Sequence, residues 1–261
     1  MTSAAAYTDD LGTPVEIPPN VRRVVSLVPS LTEALAVSAP GLVVGATDWC
    51  SHPPDLPVTR VRGTKNPDVP AVIALRPDLV VANEEENRLV DLDALRAAGL
   101  AVWVTAPRTV PAGLASLGRM LAVCGVADPG WLAQARAAWA SVHPRTRRTA
   151  VVPIWLRPWM VVGRDTFTGD VLARLGVDNL WADAAERYPR VELAALLAAR
   201  PDVVVLPDEP YAFSASDGPE AFPGVPAALV SGRHLTWYGP SLAQAPAVLA
   251  AQLDAATTRS L

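Results

Sequence analysis

The sequence predicts an α/β chain of two similar lobes, each a mostly parallel sheet flanked by helices, joined by a long helical tether. Three observations carry this. Arg22-Arg23-Val24-Val25-Ser26-Leu27-Val28-Pro29 is echoed 125 positions later by Arg147-Arg148-Thr149-Ala150-Val151-Val152-Pro153-Ile154-Trp155. Arg76-Pro77-Asp78-Leu79-Val80-Val81 returns 124 positions later as Arg200-Pro201-Asp202-Val203-Val204-Val205. In both copies Arg-Pro-Asp closes an apolar helical pattern and opens a β-branched run; proline halts a helix and the valines favour a buried strand. Matching offsets in separate motifs divide the chain into a first lobe over 20–109, a tether over 110–146 and a second lobe over 147–261.

Each element has a local reason. Residues 24–28 are a buried strand, and Ser30-Leu31-Thr32-Glu33 reads as a capping box that launches a helix. Leu42-Val43-Val44 is a short strand. Asn83 with Glu86 caps a helix whose Leu89, Leu92 and Leu95 share one side, closed by Gly99. Val102-Trp103-Val104 is the next strand. Residues 110–143 read as helix with two apolar faces, one of Leu114, Leu117, Met120 and Leu121, the other of Trp131, Leu132, Ala135, Ala138, Trp139 and Val142. Thr168 caps a helix carrying Val171, Leu172 and Leu175, closed by Gly176, and Ala228-Leu229-Val230 is a late strand.

Composition bounds the function. The chain has 261 residues, enough for one to two domains, and its 51% hydrophobic and 18% charged residues describe packed cores rather than disorder. A net charge of −4 without any Lys/Arg run argues against nucleic acid as partner. No stretch approaches ~18 consecutive apolar residues, so membrane insertion is not expected. Residues 1–21 carry Asp9, Asp10 and Glu16, no Lys or Arg, and no long apolar run, which does not read as a secretory signal. The expectation is therefore a cytoplasmic protein as the sequence stands, and an extracytoplasmic one if its start has been trimmed. Cys50 and Cys124 are too few for a disulfide framework.

Val24 to Glu33 (VVSLVPSLTE), Val43 to Pro53 (VVGATDWCSHP), Ala74 to Val81 (ALRPDLVV), the helical tether and the repeated plan resemble the cobalamin- and siderophore-binding proteins of ABC importers, most of all the cobalamin binders. The resemblance implies a helical-backbone metal receptor of the class III periplasmic-binding-protein fold, two lobes joined by one long helix. It implies non-catalytic binding of a bulky metal chelate in the cleft. Cobalamin is the first choice, heme or a ferric siderophore the alternatives, and no cofactor is required. Members of the family dock on a permease through one glutamate per lobe. The matching positions here are Pro70 and Ala194, with Asp68 and Glu192 displaced by two residues, about 200° around a helix.

In open parallel sheets, ligands meet loops at the carboxyl ends of strands. That rule selects Pro29-Ser30, Trp49 to His52, Thr64 to Asn66, Asn83 to Arg88 and Thr105 to Arg108. In the second lobe it selects Trp155 to Trp159, Asp165 to Thr168, Tyr188, Asp208 to Phe213 and His234 to Tyr238. The expected contact set is Ser30, Trp49, His52, Lys65, Asn66, Glu84, Glu85, Arg88, Trp155, Trp159, Phe167, Tyr188, Glu209, Tyr211, His234, Trp237 and Tyr238. Trp49 and Trp237 offer flat rings to a macrocycle face. Glu84 and Glu85 suit the amide arms of a corrin and repel carboxylate-rich siderophores. Cys50, His52 and His234 are the candidate metal donors. Read as an enzyme, the chain offers only a Cys50 thiol with His52 as base, and it lacks a phosphate loop or a Gly-x-Ser-x-Gly elbow. The proline-rich loop 207–226 is expected to be an ordered rim.

Overall fold

The computed structural model describes residues 5–143 and 146–256. Contacts divide the chain into two compact units: Met1–Pro107 with Pro111–Gln134 and Tyr238–Pro240, and Arg108–Val110 with Ala135–Trp237 and Ser241–Leu261.

The first unit opens with an antiparallel hairpin of β1 (Ala5–Thr8) and β2 (Pro14–Ile17). There follow β3 (Val24–Ser26), α1 (Pro29–Ser38), β4 (Val43–Ala46), β5 (Thr59–Arg60), β6 (Arg62–Gly63), β7 (Asn66–Pro67) and α2 (Val69–Ala74). Next come β8 (Leu79–Asn83), α3 (Leu89–Ala97), β9 (Val102–Thr105) and α4 (Val110–Val123). Its sheet runs β5-β4-β3-β8-β9, every neighbour parallel. The boundary between units falls inside α5 (Gly130–Ala140). The second unit holds β10 (Arg148–Val151), β11 (Pro153–Leu156), β12 (Trp159–Val161), α6 (Phe167–Arg174), β13 (Val177–Asn179) and α7 (Leu193–Ala198). It ends with β14 (Val203–Pro207), β15 (Ala227–Val230), α8 (Gly232–Thr236) and α9 (Ala245–Asp254). Its parallel sheet runs β13-β10-β14-β15, beside an antiparallel β11-β12 pair.

The internal echo is structural. β4-β3-β8-β9 and β13-β10-β14-β15 correspond strand by strand, and Val24 to Arg148 and Leu79 to Val203 are both 124 positions. Buried Val72, Val80 and Ala82 in the first core match Leu196, Val204 and Leu206 in the second at that same offset of 124. The Arg-Pro-Asp motif does the same work twice. Arg76 (φ 45°) and Arg200 (φ 51°) both turn left-handed, and the proline after each cannot continue the helix. Asp78 then accepts the Arg22 and Arg23 amides at 2.8 and 2.9 Å, and Asp202 accepts the Thr149 amide and hydroxyl, both at 2.7 Å. Each aspartate pins its strand to the neighbour.

Three local expectations are corrected. α1 begins at Pro29 with Val28 in the cap position, so Ser30 lies inside the helix and no capping box forms. A proline at the first helical position lacks the amide that a cap would satisfy. α6 is capped by Thr166, which accepts the Gly169 amide at 3.1 Å, rather than by Thr168, which is buried inside the first turn. Residues 110–143 form two helices rather than one. Gly125 takes φ +78° to close α4, and Pro129 cannot continue it, so the two apolar faces belong to α4 and α5 separately.

Candidate functional site

At the carboxyl end of the first sheet, the last residue of β8 organises everything around it. Asn83 Oδ1 accepts the amides of Glu85 (2.8 Å) and Glu86 (3.1 Å). Its Nδ2 donates to the Thr105 carbonyl (2.8 Å) and the Tyr238 hydroxyl (2.7 Å). Asn87 Oδ1 accepts the Asn83 amide at 2.9 Å, while Asn87 Nδ2 donates to the carbonyls of Thr64 (2.9 Å) and Leu27 (3.3 Å). Thr105 Oγ1 donates to the Ala82 carbonyl at 2.9 Å, so the Tyr238 hydroxyl, also 2.9 Å away, donates to Thr105. Burial pushes the Tyr238 phenol well above its ordinary range. Every polar group in this frame has a partner, which fixes the loop 84–88 as a rigid mount. Exposed around it stand Trp49, Lys65, Asn66, Glu84 and Arg88. Trp49 is 68% exposed, extreme for an indole.

In the second unit, the loop after β14 carries an aromatic group. Trp155 (43% exposed) meets the Tyr211 ring edge-on at 5.6 Å. Tyr211 lies 4.7 Å from Phe213, Trp159 stacks on Phe213 at 6.3 Å, and Phe222 meets Trp159 edge-on at 5.4 Å. The Tyr211 hydroxyl donates to Asp217 at 2.6 Å, and Glu220 accepts the Gly218 amide at 2.7 Å. The 207–226 segment is thus folded on itself, its half-buried Tyr211 and exposed Trp155 at the surface. Beside it, Asp208 accepts the Gly232 amide at 2.7 Å and Ser231 Oγ lies 2.8 Å from His234 Nδ1. Glycine is required at 163: a Cβ there would fall on the Glu186 carbonyl and come within 2.9 Å of Pro189, so the Tyr188 loop lies directly on the chain.

No protein-family model matches the chain. A vitamin B12-binding protein of Salmonella choleraesuis (strain SC-B67) is 25% identical over 193 residues, covering 70% of this chain and 71% of that one. The solved periplasmic vitamin B12 binding protein BtuF of Vibrio cholerae superposes with a TM-score of 0.72 at 18% identity, over 91% of this chain and 98% of its own. The apo periplasmic heme-binding protein RhuT of Roseiflexus sp. RS-1 gives a TM-score of 0.74 at 22% identity, over 89% and 98%. The fold is that of the periplasmic chelate-binding proteins.

Within that fold, the expected contact residues separate by burial. Trp49, Lys65, Asn66, Glu84, Arg88 and Trp155 are exposed, and His52, Glu85, Trp159, Tyr188, Glu209, Tyr211 and His234 are half-buried. Lys65 Nζ donates to the Glu85 carbonyl, Ser51 Oγ lies 3.1 Å from His52 Nδ1, and Arg88 grips Asp91 with both Nε (2.8 Å) and Nη2 (3.1 Å). Ser30, Phe167, Trp237 and Tyr238 are buried. Trp237 lies under the Arg233 guanidinium, 6.0 Å from the ring centre. Among the described residues no three His, Cys, Asp or Glu side chains gather to hold a metal ion, so Cys50, His52 and His234 do not form a donor set. The strand-end rule selected Asn83 and Thr105 with their loops but the contact set included neither, and Asn83 ends β8 instead of capping a helix, since α3 begins at Leu89 with Arg88 in the cap position. The signal was present: an Asn-x-x-x-Asn pair closing a buried strand.

Cys50 is buried, its sulfur 3.0 Å from the Thr32 hydroxyl and 3.1 Å from that of Thr47, and burial raises its pKa. Burial pushes the Cys124 thiol up to about 12. Burial thus disfavours the thiolate, the form in which a cysteine attacks, at both positions. Both thiols also make stability depend on pH. For Cys124, above pH ~9 the unfolded thiol ionises while the native one stays protonated, so stability falls as pH rises from there toward 12, by up to ~1.4 kcal/mol per unit; Cys50 adds to the loss in the same direction. Urea denaturation at pH 8 and pH 10 should show the loss, and a Cys124→Ala variant should show less of it. An equal pH dependence in the variant would remove Cys124 from the account.

Proposed function

We propose that the chain is a non-catalytic binding protein for a bulky metal chelate, in first place a corrinoid, gripped by carboxyl-end residues of its sheets. One observation carries the reading: the likeness to a vitamin B12-binding protein spans 70% of the chain, and the first unit presents an almost free indole, Trp49, beside a rigid mount of carboxylates and amides. A corrinoid arrives with its metal already chelated, and its amide arms pair with Glu84, Glu85 and Asn66. Heme is the second reading, favoured by the superposition on RhuT. Against it stands the chemistry of the first unit, where the Tyr238 hydroxyl is committed to Asn83 and Thr105 and the Cys50 thiol is buried.

Titrating the protein with cyanocobalamin, hemin and a ferric siderophore, read by absorbance and Trp fluorescence, tests this. The expected result is saturable 1:1 quenching by cyanocobalamin; saturation by hemin alone, or by none, overturns it. Trp49→Ala should weaken cyanocobalamin by ~1–3 kcal/mol, roughly 5- to 150-fold. An unchanged affinity takes Trp49 out of the site.

A permease is the partner the family plan supplies, yet Pro70 and Ala194 are both exposed and uncharged. Asp68 is spent on capping α2, accepting the Ala71 amide at 3.1 Å, and on Arg62 at 3.4 Å. Among the described residues no helix is long and apolar enough to cross a membrane. An importer component works outside the membrane, whereas a storage or hand-over relative works inside; cell fractionation separates the two.

A further inference from the structure

Trp49 is 68% exposed, yet the turn that carries it is bonded into the chain around it. The Cys50 amide donates to the Thr47 carbonyl at 3.1 Å, and the Ser51 amide to the Trp49 carbonyl at 2.9 Å. A single nitrogen of Arg60, Nη1, donates to both ends of this turn, the carbonyls of Thr47 (3.0 Å) and Cys50 (2.9 Å). Among the described residues these two neutral carbonyls are the hydrogen-bond partners of the Arg60 side chain, so its guanidinium serves the turn rather than a counter-charge. The Asp48 amide adds a bond to the Arg62 carbonyl at 2.8 Å.

Three residues beyond Arg60, Gly63 makes room for the indole. A Cβ there would stand 3.4 Å from Trp49 Nε1 and 2.4 Å from Asn66 Oδ1. Gly63 is not among the glycines with positive φ, so the backbone makes no demand for glycine at this position. The demand comes from the two side chains that close over it, both of them in the expected contact set. The β6–β7 hairpin is in turn tied to the mount after β8. Asn87 Nδ2 donates to the Thr64 carbonyl at 2.9 Å, and Lys65 Nζ donates to the Glu85 carbonyl. Residues 60–63 therefore couple the Trp49 turn to loop 84–88.

An exposed side chain that turns freely loses that freedom on binding, whereas one fixed in advance does not. We propose that Arg60 and Gly63 are positioning residues for Trp49: Arg60 locks the turn beneath the indole and Gly63 seats its N–H edge, so the ring holds its binding pose before the ligand arrives. This rests on the reading of Trp49 as a contact to a corrinoid.

Two measurements on the full chain test it. The first needs no ligand: fluorine NMR of protein labelled with 5-fluorotryptophan, the Trp49 line being assigned by its loss in Trp49→Phe. Arg60→Met and Gly63→Val should each move that line toward the position of free 5-fluorotryptophan and leave the other tryptophan lines in place. An unmoved Trp49 line, or displacement of every line alike, overturns the positioning role. The second is titration with cyanocobalamin. Each variant should weaken binding roughly tenfold in the wild-type background and less than about twofold in a Trp49→Ala background, a coupling of the size that contacting residues show. Equal losses in the two backgrounds mark a merely structural role and overturn the proposal while the corrinoid reading stands. If the Trp49 line moves as stated but cyanocobalamin does not bind the wild type, the corrinoid reading falls and the positioning of the indole stands.

Discussion

Replacing Asn83 by alanine should destabilise the native protein by ~3–4 kcal/mol, seen as a fall in Tm of roughly 6–12 °C. The side chain makes four hydrogen bonds at normal length, to the amides of Glu85 and Glu86, the Thr105 carbonyl and the Tyr238 hydroxyl. It is 5% exposed, so water cannot replace those partners without opening the carboxyl end of β8. Each net bond is worth only ~1 kcal/mol, but a buried group left unmade costs ~1–3 kcal/mol, and truncation strands several at once. Asn83→Asp separates the two roles of the side chain. It keeps the acceptor for the Glu85 and Glu86 amides, but sets a carboxylate against the Thr105 carbonyl and beside Glu84 to Glu86. The aspartate variant should therefore be destabilised too, and less so at pH 4, where protonation restores a donor, than at pH 8. A Tm within 1 °C of wild type for the alanine variant would show that the frame is not what holds loop 84–88.

The fold was legible in the chain because its strongest signals are repeated and local. The two Arg-Pro-Asp motifs announce a helix end and a buried strand in a few residues, and the structure spends them that way twice. Closing glycines were equally readable: Gly99 and Gly176 both take positive φ, 83° and 81°, at the ends of their helices. Helix starts were harder. Ser30 and Thr168 have the chemistry of caps, but Pro29 and Thr166 each begin the helix earlier, and only the backbone path decides between such neighbours. The site was legible in outline and not in depth. Exposed Trp49 and the carboxylates after β8 follow from strand ends alone. That Tyr238 is a buried part of the first unit, 155 positions from Asn83, depends on a long-range hydrogen bond for which no local pattern exists.

Asp10→Ala should cost ~3 kcal/mol and free the amino-terminal hairpin. β9 is an edge strand, and unpaired edges invite association with other strands. Here the turn of the β1–β2 hairpin covers part of that edge. The Asp10 amide donates to the Val104 carbonyl at 3.1 Å, and the Val104 amide donates to Asp9 Oδ2 at 3.3 Å. The Asp10 carboxylate, only 8% exposed, then accepts the Ala106 amide at 2.9 Å and the Ser116 hydroxyl at 2.6 Å, and pairs with Arg119. Arg119 is half exposed, so its ion pair adds at most ~1 kcal/mol; the larger share comes from the two donors left buried without an acceptor. Ser116→Ala should therefore recover part of the loss in the Asp10→Ala background, because it removes one stranded hydroxyl, while Arg119→Ala alone should cost under ~1 kcal/mol. Loss of the clasp should also speed proteolysis within residues 5–17 and, at high protein concentration, produce dimers by size-exclusion chromatography as the β9 edge opens. If Arg119→Ala proves as damaging as Asp10→Ala, the ion pair rather than the buried donors holds the hairpin, and the order of the two contributions is reversed.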